Sequence, residues 1–387
     1  MSISEDKNVP ELRFKGYTEN WEQRKLGDIS NKVTEKNKKK EFTETFTNSA
    51  EYGIVNQRDF FDKDISNEKN INGYYIVREN DFIYNPRISN FAPVGPIKRN
   101  KLGRTGVMSP LYYIFRVYNI SEVYLEYYFN TTKWHKFMKL NGDSGARADR
   151  FAIKDSIFKL MPIPYPTFEE QQKIGAFLKK LDNTIALHQE KLSKLYALKE
   201  AYLQQMFPQY KENNPKVRFT NFGEKWQKSK LSEVLNVNSG RDYKHLKSGD
   251  VPVYGTGGYM LSVDQCLSDE DAIGIGRKGT IDKPQYLKSP FWTVDTLFYM
   301  KVKKGYDLLF VYSISQTVRW KKYDESTGVP SLSKTTINNI TKTFPPYKEQ
   351  VAIGKFFDKI NELIDLEQIK LDKLKNLKKA YLRKMFI

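Results

Sequence analysis

Cysteine occurs once in 387 residues (Cys266) and histidine three times (His135, His188, His245), each alone. One thiol cannot close an intramolecular disulfide or build a thiolate cage, and it suits a reducing compartment. With no His-x-x-x-His or Cys-x-x-Cys pairing, the chain offers no ordinary zinc ligand set. Nowhere do eighteen apolar residues run together, and the opening MSISEDKNVPELRF carries no apolar signal core. Neither a membrane span nor a secretory leader is expected, and the protein is read as cytoplasmic. Acidic residues are also in deficit: 46 Asp and Glu against 64 Lys and Arg leave a formal charge of +18. That excess attracts a polyanion, because Lys and Arg displace the counterions condensed on phosphates; an anionic membrane surface would satisfy the same number. Aromatic residues, by contrast, make up 14% of the chain, with 25 Tyr and 24 Phe. This is not the composition of a disordered polymer, and the length allows two ordinary domains plus something extra.

The chain repeats itself in two separate blocks. PELRFKGYTENWEQRKLGDI (10–29) aligns without a gap to PKVRFTNFGEKWQKSKLSEV (215–234), matching Pro10/Pro215, Arg13/Arg218, Phe14/Phe219, Glu19/Glu224, Trp21/Trp226, Lys25/Lys230 and Leu26/Leu231. A longer block, 170–207, matches 349–386: Ile174/Ile353, Gly175/Gly354, Phe177/Phe356, Leu192/Leu371, and Ala201-Tyr202-Leu203 with Ala380-Tyr381-Leu382. The intervening segments differ in length and almost everywhere in sequence. The second block is helical by period. Ile174, Leu181, His188, Leu195 and Tyr202 recur every seven residues, with Leu178, Ile185, Leu192, Lys199 and Met206 as the second seam. Its copy gives Ile353, Ile360, Glu367, Leu374 and Tyr381 with Phe357, Ile364, Leu371, Lys378 and Met385. Each stripe needs a partner to bury its apolar edge, and the obvious partner is the other copy. About 36 residues of helix reach roughly 55 Å. Pairing is expected to be antiparallel, with a pseudo-two-fold relation that carries the two inserts to opposite ends of a ruler. His188 and Glu367 hold equivalent seam positions; either they fix register or they are partly exposed.

The expected fold class is therefore α+β: two globular mixed α/β domains separated by two long antiparallel coiled-coil-like helices. The expected boundaries are 1–160, 161–213 (helical spacer and linker), 214–343 and 344–387. The inserts, 30–160 and 235–343, carry strand-like runs at 74–78, 81–85, 111–117, 251–255, 271–276 and 295–302, separated by Gly, Pro and Asn. From Phe82 to Ser121 there is no Asp or Glu against six cations, Arg87, Lys98, Arg99, Lys101, Arg104 and Arg116. Cations hold phosphates, and Arg, Asn and Gln can pair with purine edges. A solvated basic face is the alternative. Asp81-Phe-Ile and Asp271-Ala-Ile are each followed by an Arg six residues after the Asp (Arg87, Arg277), which suggests a common strand leading into a basic loop. Gly145 and Gly328 each begin a stretch ending in Ile twelve residues later. The candidate DNA-contacting residues are Tyr84, Asn85, Arg87, Asn90, Lys98, Arg99, Arg104 and Arg147 in the first insert, and Arg241, Lys244, Arg277, Lys278 and Thr280 in the second.

Catalytic motifs are missing. Gly274-Ile-Gly276-Arg-Lys-Gly279 fits GxGxxG, but Thr280-Ile-Asp-Lys-Pro284 argues against the helix a dinucleotide fold needs, so a glycine turn presenting Arg277 and Lys278 is expected. GTGG (255–258) lacks the lysine and hydroxyl of a phosphate loop. Asn85-Pro86-Arg87 lacks the second Pro and the aromatic with which amino-methyltransferases hold a flipped base.

The duplicated RF…W…KL opening, the EEQQKIGAF and KEQVAIGKF helix starts, and the AYLQQMF and AYLRKMF endings together resemble the specificity subunits of type I restriction–modification systems. VPVYGTGGY also looks like their target-recognition domains. The resemblance implies a non-catalytic subunit that reads a bipartite double-stranded DNA target, one part per domain. It implies two docked modification subunits, which bring S-adenosylmethionine and methylate adenine N6, and restriction subunits that use ATP and Mg²⁺. No cofactor is expected in this chain. By these boundaries the second insert is 22 residues shorter, so the half-sites need not be alike. The competing readings are a basic coiled-coil DNA-binding or scaffold protein acting alone, and an enzyme. Partner docking demands apolar residues beside the seam; Phe177, Leu187, Leu198, Leu203, Phe356, Leu366, Leu377 and Leu382 are the candidates, although they could equally widen it.

Overall fold

A computed structural model describes residues 8–60, 68–144, 149–208 and 212–387. The chain divides into two compact units, Met1–Leu187 with Leu371–Ile387, and His188–Lys370.

In the first unit, segments rich in aromatic and β-branched residues form a four-stranded antiparallel sheet. Its order is Ser30–Lys32, Tyr113–Val117, Phe82–Tyr84 and Ile97–Arg99. Phe82 faces Phe115 and Tyr84 faces Tyr113 in the register. The rings of Phe82 and Phe115 stack at 5.4 Å, and Phe158 closes on Tyr84 at 5.0 Å. Aromatic pairs of this kind dominate small cores because each ring removes a large apolar area from water. The second unit repeats the plan with different side chains. Its sheet runs Leu235–Ser239, Leu297–Val302, Ala272–Gly276, Gln285–Leu287. In both sheets the third strand follows the Asp noted in the sequence, and the Arg lies just past the strand's end. All six strand-like runs contain strands.

The repeated opening segments do the same job in each unit. Glu22–Lys25 pairs antiparallel with Pro162–Tyr165, and Gln227–Lys230 with Thr341–Phe344. Each ladder ties the opening to the strand just before a long helix. Arg13 donates through Nε and Nη2 to Glu170 at 2.7 and 2.8 Å, and Arg218 does so to Glu349 at 2.6 and 2.7 Å. Both carboxylates are fully buried, so each needs its guanidinium to offset desolvation. The adjoining glutamines are also buried. Gln171 accepts from the Ser121 amide and donates to the Pro166 carbonyl; Gln350 accepts from Asp307 and donates to Pro345. The Glu-Gln pair in both helix starts thus holds the opening segment through the Glu and the interior of the insert through the Gln. Trp21 Nε1 donates to Glu170, whereas the buried Trp226 Nε1 has no partner among the described residues.

The long helices, Phe168–Gln205 and Tyr347–Lys384, hold 38 residues each, about 57 Å at 1.5 Å per residue. They run antiparallel within each unit. In the first, Phe177 meets Tyr381 at 4.8 Å and Asp182 pairs with Lys378 at 2.5 Å. In the second, His188 bonds Glu367, Lys191 reaches the same carboxylate at 3.0 Å, and Tyr202 meets Phe356 at 4.9 Å. Glu367 is buried rather than partly exposed, and its partners answer the question left by the heptad pattern. Hydrogen bonding from His188, then from Lys191, holds its carboxyl below the ordinary value. The helix ends explain the AYL…MF repeat. Phe207 is buried against Phe357 and Phe310, and Phe386 against Tyr124. Truncating a buried Phe of this kind to Ala costs about 3–5 kcal/mol.

Candidate nucleic-acid interface

The acid-free run of the first insert is not a free basic face. Arg99 and Lys101 share Glu126, Arg104 makes a two-pronged contact with Glu44 at 2.8 and 2.7 Å, and Arg116 grips the buried Asp81 at 2.7 and 2.9 Å. These acids lie outside the run, and folding returns them to it. Arg104 in turn holds the Glu44 carboxyl below its ordinary value. Lys98 donates to Asn130, and burial lowers its pKa. Tyr84 is a core residue, 3% exposed, with its hydroxyl donating to the Val94 carbonyl. Phe158 covers its ring at 5.0 Å, so it presents almost no surface to a ligand.

Arg87 is different. It is exposed, and among the described residues no carboxylate pairs with it. Its loop is held by Asn85, whose Nδ2 donates to the Asn48 carbonyl at 2.9 Å and whose Oδ1 accepts from the Arg87 amide at 3.0 Å. Asn85 therefore positions the loop with both ends of its amide. Arg87 forms an antiparallel bridge with Arg150. Next to this bridge, the Phe46–Ser49 and Gly53–Asn56 hairpin helps enclose a cavity of about 690 Å³. Asn90 and Phe91 are exposed at the loop tip. Arg147 and Gly145 lie outside the described residues.

In the second unit the third strand ends in the expected glycine turn. A Cβ on Gly276 would sit 2.0 Å from the Thr280 carbonyl oxygen, and Gly279 has φ +99°, which only glycine adopts without strain. No helix follows. Arg277 and Lys278 are exposed, and Thr280 is half-buried. The Arg277 amide bonds the Thr296 carbonyl at 2.8 Å. Asp295 and Thr296 line an open cleft with Lys244 and the Gly255–Met260 turn. The Arg277 backbone thus adjoins one wall of the cleft that Lys244 lines. Arg241 is exposed, and its carbonyl accepts from Trp292 Nε1.

The docking candidates split. Leu187, Leu198, Leu366 and Leu377 are 44–64% exposed. Leu187 and Leu198 are eleven residues, or three turns, apart and share a helix face, as do their equivalents. Phe177 and Phe356 are half-buried in edge contacts with Phe14 and Phe219, so they belong in part to the frame. Leu203 and Leu382 are also half-buried.

Comparison with known proteins decides the family. The profile of the type I restriction modification DNA specificity domain matches residues 18–197 and 223–376. The chain belongs to this family. A curated relative, the type I restriction enzyme MjaVIII specificity subunit of Methanocaldococcus jannaschii, is 22% identical over 265 residues; the match covers 59% of this chain and 61% of that protein. The crystal structure of the type I restriction-modification system S subunit from M. genitalium superposes with TM-score 0.68 at 16% identity, covering 98% of this chain and 99% of that one. A structure titled for complex assembly and conformational transition of the type I R-M system gives TM-score 0.53 at 14% identity, covering 95% and 97%. The resemblance drawn from the repeated motifs is borne out, as is the mixed α/β class with a long helix between two matched regions. No helix among the described residues is long and apolar enough to cross a membrane. No group of three or more His, Cys, Asp or Glu among them could hold a metal ion.

Sequence reading missed Asn48 and Arg150, which hold the Arg87 loop. Nothing nearby signals them, because Asn48 meets Asn85 and Arg150 meets Arg87 only after long stretches of chain. The Gly255–Gly258 turn was legible as a turn but not as a wall of the cleft around Lys244.

Proposed function

We propose that this chain is the non-catalytic specificity subunit of a type I restriction–modification complex. In this reading residues 1–160 and 214–343 each recognise one part of a bipartite double-stranded DNA target. The observation that carries it is the shared placement of Arg87 and Arg277. Each is an exposed arginine without a carboxylate partner among the described residues, just past the third strand of a sheet built in the same order. Unpaired cations at matching positions suit phosphate contact and guanine-edge reading, while the unlike surroundings suit different half-sites. The 161–213 and 344–387 segments serve as the spacer that sets the gap. Two modification subunits dock on the helices through Leu187, Leu198, Leu366 and Leu377, and supply S-adenosylmethionine for adenine-N6 methylation. Restriction subunits join with ATP and Mg²⁺, and the complex works in the cytoplasm.

The test exchanges residues 30–160 for the corresponding insert of a relative in cells carrying the whole system, followed by methylation-sensitive sequencing. One half of the methylated motif should change and the other persist. A change in both halves, or in neither, refutes one-domain-one-half reading.

A further inference from the structure

In both units an exposed aromatic ring stands beside the exposed arginine, and different segments supply it. Phe91 is 81% exposed at the tip of the turn Ser89-Asn90-Phe91-Ala92. The Ser89 amide bonds the Ala92 carbonyl at 3.1 Å, and the reverse bond closes the turn at 3.0 Å. The turn is braced from behind. The Ile88 amide bonds the Asp149 carbonyl, the Asn85 amide bonds the Pro96 carbonyl, and a Cβ on Gly95 would strike the Asn85 carbonyl oxygen at 2.2 Å. Phe91 borders the same hollow as the exposed Arg87 and Arg150. In the second unit Tyr259 is 63% exposed just past the turn Thr256-Gly257. Gln285 Nε2 pins that turn through the Gly255 and Thr256 carbonyls at 2.9 and 3.2 Å. Tyr259 shares its cleft with Lys244 and Asp295, and Arg277 Nη1 lies 3.5 Å from the Asp295 carbonyl oxygen. Acids also border each hollow, Glu51 in the first and Asp242 with Asp295 in the second, so neither is a plain phosphate pocket. Phe91 follows its arginine in the chain, whereas Tyr259 precedes its own. The likeness is one of arrangement, not of copied sequence.

We propose that each reading domain drives one aromatic side chain, Phe91 in the first and Tyr259 in the second, between stacked bases of its own half of the target. A single exposed ring is ordinary on a protein surface. A ring on a braced turn beside an exposed arginine, found twice on unlike scaffolds, is not. Its backbone is already held, so the ring gives up little freedom on insertion. The large apolar surfaces of a duplex are the faces of its bases, and an apolar wedge between two of them unstacks the step and bends the helix. The inserted ring stacks on those faces, whichever bases they belong to. The neighbouring arginine holds phosphate beside the opened step. Pyrimidine–purine steps open at least cost, so the wedge selects sequence by deformability. The assignment rests on the DNA-reading role and adds to it a step read through its stacking, without a hydrogen bond to its bases.

The experiment uses the full chain with its modification subunit, at saturating concentration, on duplexes that carry the methylated motif. 2-Aminopurine, which brightens when it loses its stacking neighbours, replaces one base at a time through each half. The adenine that the modification subunit takes out of the stack brightens by itself and serves as the reference. One further step in each half should brighten. Phe91→Ala should abolish that signal in the first half alone and Tyr259→Ala in the second alone, with the reference kept, and Phe91→Leu should retain it. Phe91→Ala should also weaken duplex binding about tenfold while leaving the melting temperature unmoved, because the ring is exposed. Brightening confined to the reference adenine, or a second signal that survives both alanine variants, would overturn the assignment. So would Phe91→Ala weakening capture of the modification subunit without DNA, which makes the ring a protein contact. Preference for the motif over a scrambled duplex separates the two failures. Preference kept without a wedge signal sinks the wedge alone; preference absent sinks the DNA-reading role as well.

Discussion

His188 and Glu367 occupy the same position in the two copies of the long helix, and they bond each other. Two antiparallel copies of one sequence meet at equivalent residues only where they cross at their common midpoint. This contact therefore sets the register of the pair. A polar partner at such a point discriminates against a one-heptad slip, which would leave the buried carboxylate of Glu367 without its imidazole.

The same contact predicts an acid limb in stability. Glu367 is depressed below its ordinary value by His188 and Lys191. A depressed carboxylate stabilises the folded state above its unfolded pKa, about 4.3. That contribution is lost as pH falls through the lower folded value. Melting temperature measured from neutral pH down to about pH 3 should therefore fall less steeply for Glu367→Gln than for the wild type. Parallel curves would show that the carboxylate contributes nothing.

Neither Arg13 nor Arg218 should tolerate replacement. Arg13→Met leaves Glu170 buried with Trp21 Nε1 but no cation, and Arg218→Met leaves Glu349 buried with neither a cation nor an indole donor among the described residues. Each variant should lose about 3–5 kcal/mol in denaturant titration. A loss below about 1 kcal/mol would place these pairs with ordinary surface ion pairs.

The two helix glycines should differ. A Cβ on Gly354 would meet Asp307 Oδ1 at 2.4 Å and the Phe310 amide at 2.8 Å; one on Gly175 would meet Val123 Cγ1 at 3.1 Å. Gly354→Ala should cost about 1–3 kcal/mol through overpacking. In Gly175→Ala the helix-propensity gain of about 1 kcal/mol offsets most of the smaller clash. Equal melting temperatures for the two variants would contradict this reading of the close approach.

In the first unit Arg87, which has no carboxylate partner among the described residues, should matter to DNA. Arg87→Gln is expected to weaken duplex binding by about 1–3 kcal/mol if it reads a base, or to lower the salt slope by about one if it holds a phosphate. Arg104→Gln, whose guanidinium is occupied by Glu44, should leave affinity and slope unchanged. Arg277→Gln should behave as Arg87→Gln does. Loss of affinity in Arg104→Gln with none in Arg87→Gln would invert the assignment.

Much of the frame was legible because it is written twice. Arg13, Phe14 and Trp21 recur as Arg218, Phe219 and Trp226, since one burial problem, an opening strand against a helix start, is solved twice with the same side chains. The heptads of the long helices were legible for the same reason: a 3.5-residue seam needs no distant information. The faint Asp-x-Ile pattern located the third strand of both sheets. Charge was the misleading signal. The run from Phe82 to Ser121 looked bare of acids, but Arg104 finds Glu44 sixty residues away, and Arg99 finds Glu126.

Local order and repetition, then, determined the duplicated frame, the helices and the family, because periodicity and identical burial are properties of neighbouring residues. Tertiary structure alone decided which cations find a carboxylate and which segments hold the Arg87 loop. Those outcomes depend on strands that meet across long stretches of chain. Asn48, Arg87 and Arg150 acquire a common role only when three separate segments pack together, and no local pattern encodes that meeting.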